Sequence, residues 1–348
     1  MKNHLKIWFD ILTPKQLLFF EPMIRRFQKN HHVICTSRSY REVTELAKLR
    51  KLNLIFVGKH GGAEKYDKLN ASTNRINQLS KIIINHLPDI AVSFCSPEAS
   101  RVAYGLGIKH IAFSDSPHAE AVMRLSIPLV QKLLIPWVIP KKEFIRFGIN
   151  KKNISQYKGI DAASIAKRSL GQKIKLPFNN KRKTILIRVE EDQAAYSAKN
   201  TKKTVMIIKS IIKEFSNENI LVLGRYNSQI QFLNRTFGKK IKILNKVIDG
   251  KMLLSNVDVF VGSGGTMTAE AALLGIPTIS YNAVPNLIES YLVKNKLVKR
   301  EINPKQLVRS IRKFISSSNI DYKKRAKKVL NSMEDPFPKL VKAICTSV

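Results

Sequence analysis

The residues best placed to do chemistry lie between Asp258 and Pro277. An apolar run from Val259 to Val261 enters Gly262, Ser263, Gly264, Gly265 and Thr266, and a helix-like stretch carrying Glu270 follows. Unpaired N–H groups at a helix start attract anions, and the helix dipole adds to this. Gly264 and Gly265 let a phosphate approach the backbone closely. Thr266 and Glu270 are four apart and share one helical face. A carboxylate at that place can accept two hydrogen bonds from a ribose diol. Gly275 and Pro277 then end the helix and start the next strand. The alternative is a plain tight turn with Glu270 complementing the dipole, but the whole strand–loop–helix–Glu–Gly-x-Pro string favours an anion site. It is neither the dinucleotide fingerprint G-x-G-x-x-G nor an NTPase loop, whose lysine it lacks.

Four other loops carry polar groups just after apolar runs. Arg188 ends the run from Thr184 and precedes Glu190, Glu191 and Asp192. It can pair with a phosphate or belong to a surface ion cluster. Gly224, Arg225 and Tyr226 form a similar, weaker candidate. Ser114 to Glu120 places Asp115, His118 and Glu120 within a few residues, enough to supply a general base, with an Asp-Ser-Pro turn as the alternative. His60 lies between Gly58 and Gly62 in the same kind of position. Ser96, before Pro97, reads as a helix N-cap, not a catalyst, and His31 with His32 reads as a turn.

The elements that must position these loops follow from hydrophobic period. Strands are expected at 5–11, 33–36, 54–57, 90–94 and 110–113. Helices are expected after Pro14 and at 40–51, 65–86 and 97–104, the last closed by Gly105 and Gly107. The alternation weakens from 148 to 183, where the domain boundary is placed, giving domains 1–168 and 169–348. Strands resume at 184–189, 220–223, 241–244, 257–261 and 277–281, with helices between, including 201–215. Helices at 304–316, 322–332 and 338–344 finish the chain, the last expected to pack back on the N-terminal domain. Strands alternating with helices imply a mostly parallel sheet in each domain, with ligands at the strands' carboxyl ends.

The chain has 348 residues, 44% hydrophobic and 25% charged, which suits two globular α/β domains. Its three cysteines, Cys35, Cys95 and Cys345, are widely separated, so no disulfide or zinc framework is expected and a cytoplasmic setting fits. The longest apolar stretch, 125–139, is broken by Pro128, Gln131, Lys132 and Pro136. A spanning helix needs about 20 apolar residues, so none is expected. The net charge of +36 is dispersed along the chain. Lysine-rich solvated faces explain it first, peripheral contact with an anionic membrane second, and nucleic acid last, since no nucleic-acid motif accompanies it. Such a field favours anionic substrates in any case.

The glycine-rich string resembles the nucleotide-binding segment of GT-B-fold proteins, especially UDP-N-acetylglucosamine 2-epimerases and glycosyltransferases. The whole chain resembles a family of that superfamily labelled only as a domain of unknown function. The resemblance rests on 7–10, 19–22, 58–62, 101–107 and 262–277. It implies an α/β, GT-B-like fold of two doubly wound Rossmann-like domains facing an interdomain cleft. It also implies that Ser263, Gly264, Gly265 and Thr266 hold a diphosphate and Glu270 a ribose. The implied function is that of a nucleotide-sugar-dependent glycosyltransferase, with the sugar nucleotide, UDP-linked, as substrate and no other cofactor. Arg188 would help neutralise the diphosphate, no metal would be required, and Asp115, His118 and His60 would be the catalytic candidates. A 2-epimerase is one alternative, and a non-catalytic basic protein is another. Two departures matter. Gln16 stands where the family pattern has His, and the loop after Arg188 has no His, unlike that of the 2-epimerases.

Overall fold

Each short apolar run becomes a parallel strand, and each amphipathic stretch becomes the helix that returns the chain. The computed structural model describes residues 4–62, 64–169, 181–190, 201–224, 227–244, 247–281 and 286–347. Two units result, Met1–Ile165 with Glu334–Val348, and Ala166–Met333.

The first unit runs β1 (Lys6–Ile11), α1 (Pro14–Phe27), β2 (His32–Ser39), α2 (Arg41–Leu49), β3 (Ile55–Lys59), α3 (Lys65–His86), β4 (Ile90–Ser93), α4 (Pro97–Gly105), β5 (Lys109–Phe113), α5 (Glu120–Ser126), β6 (Lys132–Pro136), α6 (Lys142–Ile145), β7 (Ile154–Tyr157) and α7 (Asp161–Ala166). Its sheet is parallel in the order β3-β2-β1-β4-β5-β6-β7. Strand β1 is central, and Ile7, Trp8, Phe9 and Ile11 are fully buried. Phe19 and Phe20 of α1 pack edge-on to Phe94 and Phe113, with ring centroids 5.1–6.1 Å apart. Pro14 begins α1 because its missing N–H is not needed there, and Thr13 caps the turn by accepting from Gln16 N at 3.3 Å.

The second unit runs β8 (Thr184–Arg188), α8 (Thr201–Glu214), β9 (Asn219–Leu223), α9 (Asn227–Phe237), β10 (Lys242–Ile243), α10 (Gly250–Leu254), β11 (Val259–Gly262), α11 (Thr266–Leu273), β12 (Thr278–Ser280), α12 (Leu287–Lys294), β13 (Lys299–Arg300), α13 (Pro304–Ser316) and α14 (Ile320–Asn331). Its parallel order is β10-β9-β8-β11-β12-β13. Ile185, Ile187, Ile207, Ile211, Val222 and Val261 form one face of its core.

Three strands depart from the sequence expectation. Strand β6 lies inside 125–139, where Leu133, Leu134 and Ile135 are all fully buried. A strand covered on both faces loses its alternation and reads as a plain apolar run. Strand β7 follows after only the four-residue α6, so the usual strand–helix rhythm is missing there. Strand β13 has two residues and shows no period at all. The chain divides after Ile165, and the final helix, α15 (Phe337–Cys345), rests on β5 and β6 of the first unit. Among the described residues no helix is long and apolar enough to cross a membrane.

Candidate functional site

In each sheet the strand order reverses once, between β1 and β4 and between β8 and β11. Ligands of open α/β sheets bind at the carboxyl ends of the strands beside such a reversal.

In the second unit that place is occupied by the glycine-rich loop. Gly262 and Arg188 are register partners at the ends of β11 and β8. A Cβ on Gly262 would lie 2.5 Å from Thr268 Oγ1 and 2.6 Å from the Phe260 ring, so only glycine fits there. Gly264 (φ +90°) and Gly265 (φ +81°) take backbone conformations that side chains oppose. Gly265 is the N-cap of α11 and offers no side-chain acceptor. The first-turn amides from Thr266 onward are therefore left to an anion or solvent. Ser263, Gly264 and Thr266 are half-buried, and Gly265 is exposed.

One turn into α11, Glu270 is buried. Its Oε1 has no hydrogen-bond partner among the described residues, and Arg168 Nη2 lies 4.0 Å away. Arg168 is itself held by Asp249, at 3.0 and 3.3 Å. Asp249 also accepts from Lys251 N at 3.0 Å, capping α10. Burial pushes the Glu270 carboxyl up to about 7. Arg168 opposes that rise and Asp249 adds to it. The result is a buried acceptor beside an open helix start. Arg188 Nη1 donates to the Gly224 carbonyl at 2.9 Å, which fixes its guanidinium at the strand ends. Glu190 accepts from Tyr281 Oη at 2.9 Å and from Thr204, binding the loop after β8 to its neighbours. Glu191, Asp192, Arg225 and Tyr226 lie outside the described residues.

In the first unit Asp115 follows β5, and its Oδ2 is 2.5 Å from Lys15 Nζ in the first turn of α1. The same ammonium lies 2.8 Å from Asp161 Oδ2 at the start of α7, and 4.3 Å from the Phe94 ring centroid. Tyr157 Oη donates to Asp161 Oδ1 at 2.6 Å. Burial would raise both carboxyls. Lys15 outweighs it at Asp115, which is held down near 2. At Asp161 burial prevails over Lys15, aided by the neighbouring Asp115, and the group rises to about 7. His118 is exposed, and partial desolvation lowers its pKa, with Lys15 acting the same way and Asp115 opposing. The neutral form of its imidazole is therefore favoured. Glu120 turns to Arg124 at 2.7 Å.

The structure thus gathers Asp115 and His118, and it sets His60 apart from them. His60 follows β3, the edge strand, four strand positions from β5, or roughly 19 Å at the usual spacing. Its ring stacks on Tyr40, with centroids 5.5 Å apart, and its Nδ1 accepts from Gly62 N at 3.0 Å. Of the three catalytic candidates, Asp115 and His118 therefore fall in one cluster and His60 in another. Ser96 caps α4, accepting from Ala99 N at 3.2 Å. Gln16 closes its own loop by accepting from Leu12 N at 2.6 Å.

Sequence reasoning missed Lys15, Tyr157, Asp161, Arg168 and Asp249. Lys15 stood next to the inspected Gln16, but no local spacing links it to residues 115 and 161. Only the order of the strands does.

The family described as protein of unknown function (DUF354) matches residues 5–348. The chain belongs to that family. An uncharacterized family relative from Methanocaldococcus jannaschii is 30% identical over 308 residues, covering 84% of this chain and 86% of that one. Among solved structures, the UDP-GlcNAc 2-epimerase of Neisseria meningitidis bound to UDP-GlcNAc is similar, with TM-score 0.75, 15% identity and coverage of 99% and 100%. The glycosyltransferase SnogD of Streptomyces nogalater superposes with TM-score 0.62, 13% identity and coverage of 99% and 100%. At these identities the likeness is one of fold: this DUF354 chain is a two-domain α/β protein of GT-B-like architecture.

Proposed function

We propose that this protein is a nucleotide-sugar-dependent, glycosyltransferase-like enzyme whose second unit holds a UDP-linked sugar. The observation that carries the reading is Glu270, a buried carboxylate with an unpartnered oxygen, one turn behind the open start of α11. The ribose diol would donate to Glu270. The diphosphate would lie against the amides from Gly264 to Thr266, with Arg188 at the neighbouring strand end. The solved 2-epimerase named above binds UDP-GlcNAc, which supports the ligand class.

In the transfer step an acceptor hydroxyl oxygen bonds to sugar C1 as the bond from C1 to the diphosphate oxygen breaks. The electron pair leaves with UDP, where the helix-start amides stabilise it. The hydroxyl proton passes to His118, whose neutral imidazole is a competent base. Asp115, held ionised by Lys15, stabilises the imidazolium that forms. A general base should titrate near the working pH, which favours His118 over Asp115 itself.

A 2-epimerase is the second reading, favoured by the raised Asp161 and lowered Asp115 sharing Lys15. Paired carboxyls whose pKa values are driven apart suit proton removal and return.

Calorimetric titration of UDP into wild type and Glu270→Ala, with GDP as control, tests the binding reading. A loss of about 1–3 kcal/mol in the variant is expected for a charged hydrogen bond. Absence of UDP binding by wild type would remove the basis for both enzymatic readings. Deuterium uptake at C2 of UDP-GlcNAc in heavy water then separates epimerase from transferase.

A further inference from the structure

A guanidinium nitrogen of the first unit is buried without an acceptor among the described residues. Arg38 stands near the end of β2, and its Nε is buried with no hydrogen-bond partner among the described residues. A guanidinium carries five donors in a fixed fork. Buried donors without acceptors are costly and rare, so each calls for an explanation.

The neighbouring carboxylates do not supply one. Asp10 binds Arg75 through both oxygens, at 3.1 and 2.6 Å, and also accepts from Thr36 and Ser96. Glu98 faces Arg75 Nη1 at 3.6 Å and accepts from Ser96 Oγ at 3.3 Å. It acts on Arg38 only through space.

The backbone beside Arg38 is also irregular. Ser37 pairs with Phe56, but Ser39 pairs with Lys59, so β3 takes one extra residue opposite Arg38. Gly58 supplies the turn with φ +74°, and Arg75 Nε donates to the Val57 carbonyl at 3.0 Å inside it. Such bulges end pairing and re-aim side chains, and they are common next to functional sites. Tyr40, two residues on and also extended, lies on the same face as Arg38. His60 stacks on Tyr40, and its Nδ1 accepts from Gly62 N.

We infer that Arg38 is the centre of an oxyanion site at the carboxyl end of β2, taking a phosphate or carboxylate group with Tyr40 and His60 beside it. This goes beyond the nucleotide reading and does not depend on it, since every residue belongs to the first unit. Arginine suits the task because its planar fork meets two oxyanion oxygens at once. The anion comes from the diphosphate of a nucleotide or from an acid group on a second ligand.

The test is a titration of inorganic phosphate into nitrogen-15 arginine-labelled full-length protein, followed by NMR. The Arg38 Nε–H signal is identified by its absence from Arg38→Met. Phosphate should shift that signal, and Arg38→Met should lower the fitted phosphate affinity at least tenfold. Glu98→Gln removes a competing negative charge and should raise the affinity several-fold, a gain that misfolding cannot imitate. Repeating the titration with saturating UDP distinguishes the sources. Displacement of phosphate from Arg38 points to a nucleotide diphosphate, and undisturbed binding points to a second acidic ligand. An Arg38 signal indifferent to both phosphate and UDP, with Glu98→Gln unchanged, overturns the inference.

Discussion

Lys15 and Asp115, 100 residues apart in the chain, meet in an ion pair of 2.5 Å. The pair exists because β1 and β5 lie two positions apart in one parallel sheet, so the loops after them open at the same edge. Asp161 completes the group on the other side of the ammonium. One cation then serves two carboxylates, and the second carboxylate keeps its proton more readily than the first.

Replacing Lys15 by methionine should therefore destabilise the protein in a pH-dependent way. Without the cation, both carboxyl pKa values rise in the folded state, and ionising the pair there becomes costly. Breaking a buried pair costs about 3–5 kcal/mol, and that loss is expected at pH 8. At pH 5, where the variant's pair holds its protons, the loss should be smaller. Urea unfolding at the two pH values measures it, and Asp161→Asn in the Lys15→Met background should recover part of the loss.

Glu270 makes the ligand site sensitive to protons. Its carboxyl is pushed up to about 7 by burial, and a ribose diol donates only to the ionised form. UDP binding below pH 7 should therefore release a proton, and affinity should rise with pH up to about 7 and then level. Calorimetry in buffers of different ionisation enthalpy reads the release directly. The stability effect runs the other way. A carboxyl with a raised folded pKa contributes stability that is complete below its unfolded value, near 4.5, and is lost as pH rises through 7. Glu270→Gln should remove that loss, on the order of 3 kcal/mol for such a shift, and so be more stable than wild type at pH 8 while binding UDP more weakly.

The glycine-rich segment was legible in sequence because strand, loop, helix and carboxylate are contiguous there. Residues 259–270 contain the whole device apart from its supports. The supports were not legible: Arg168 and Asp249 are 81 residues apart, and no spacing rule joins them. The same holds for Lys15 and Asp161. His60 shows the limit from the other side. Its loop has the right local chemistry, but the strand order puts β3 at the sheet's edge, and order is a property of the assembled sheet. Strands β6 and β7 escaped because burial on both faces, or a helix of four residues, erases the period on which such reading depends.

Gly265 separates backbone strain from ligand loss. A Cβ at Gly265 would meet nothing within 4 Å, so Gly265→Ala adds strain without a clash. At φ +81° and ψ −169° that strain is about 1–3 kcal/mol. The methyl would also stand at the open start of α11. Gly238, with φ +52° and equally open space, is the matched control at the end of α9. Thermal unfolding should show both alanine variants modestly destabilised. Only Gly265→Ala should also lose UDP affinity, and equal UDP affinity in the two would place the ligand elsewhere.

Asp10 ties the end of β1 to the first unit's core and should set its acid limit. It is fully buried on β1 and accepts from Arg75, Thr36 and Ser96, while Thr36 in turn accepts from Trp8 Nε1 at 2.8 Å. Burial alone would raise its pKa, but the Arg75 charge and these hydrogen bonds together lower it below 3.8. A carboxyl depressed in the folded state contributes stability above its unfolded pKa and loses it as pH falls toward the folded one. Asp10→Asn should therefore cost about 3–5 kcal/mol at pH 7, because it takes from buried Arg75 its two-oxygen partner and leaves only the longer contact with Glu98. The gap between variant and wild type should narrow as pH drops below 4, since the unfolded wild type then takes up a proton that the folded state still resists. Arg75→Met should behave as the mirror case, with Asp10 driven to hold its proton at neutral pH. Urea midpoints for both variants at pH 7 and pH 3.5 decide the matter: a gap that does not narrow in acid would mean that Asp10 acts through packing and not through charge.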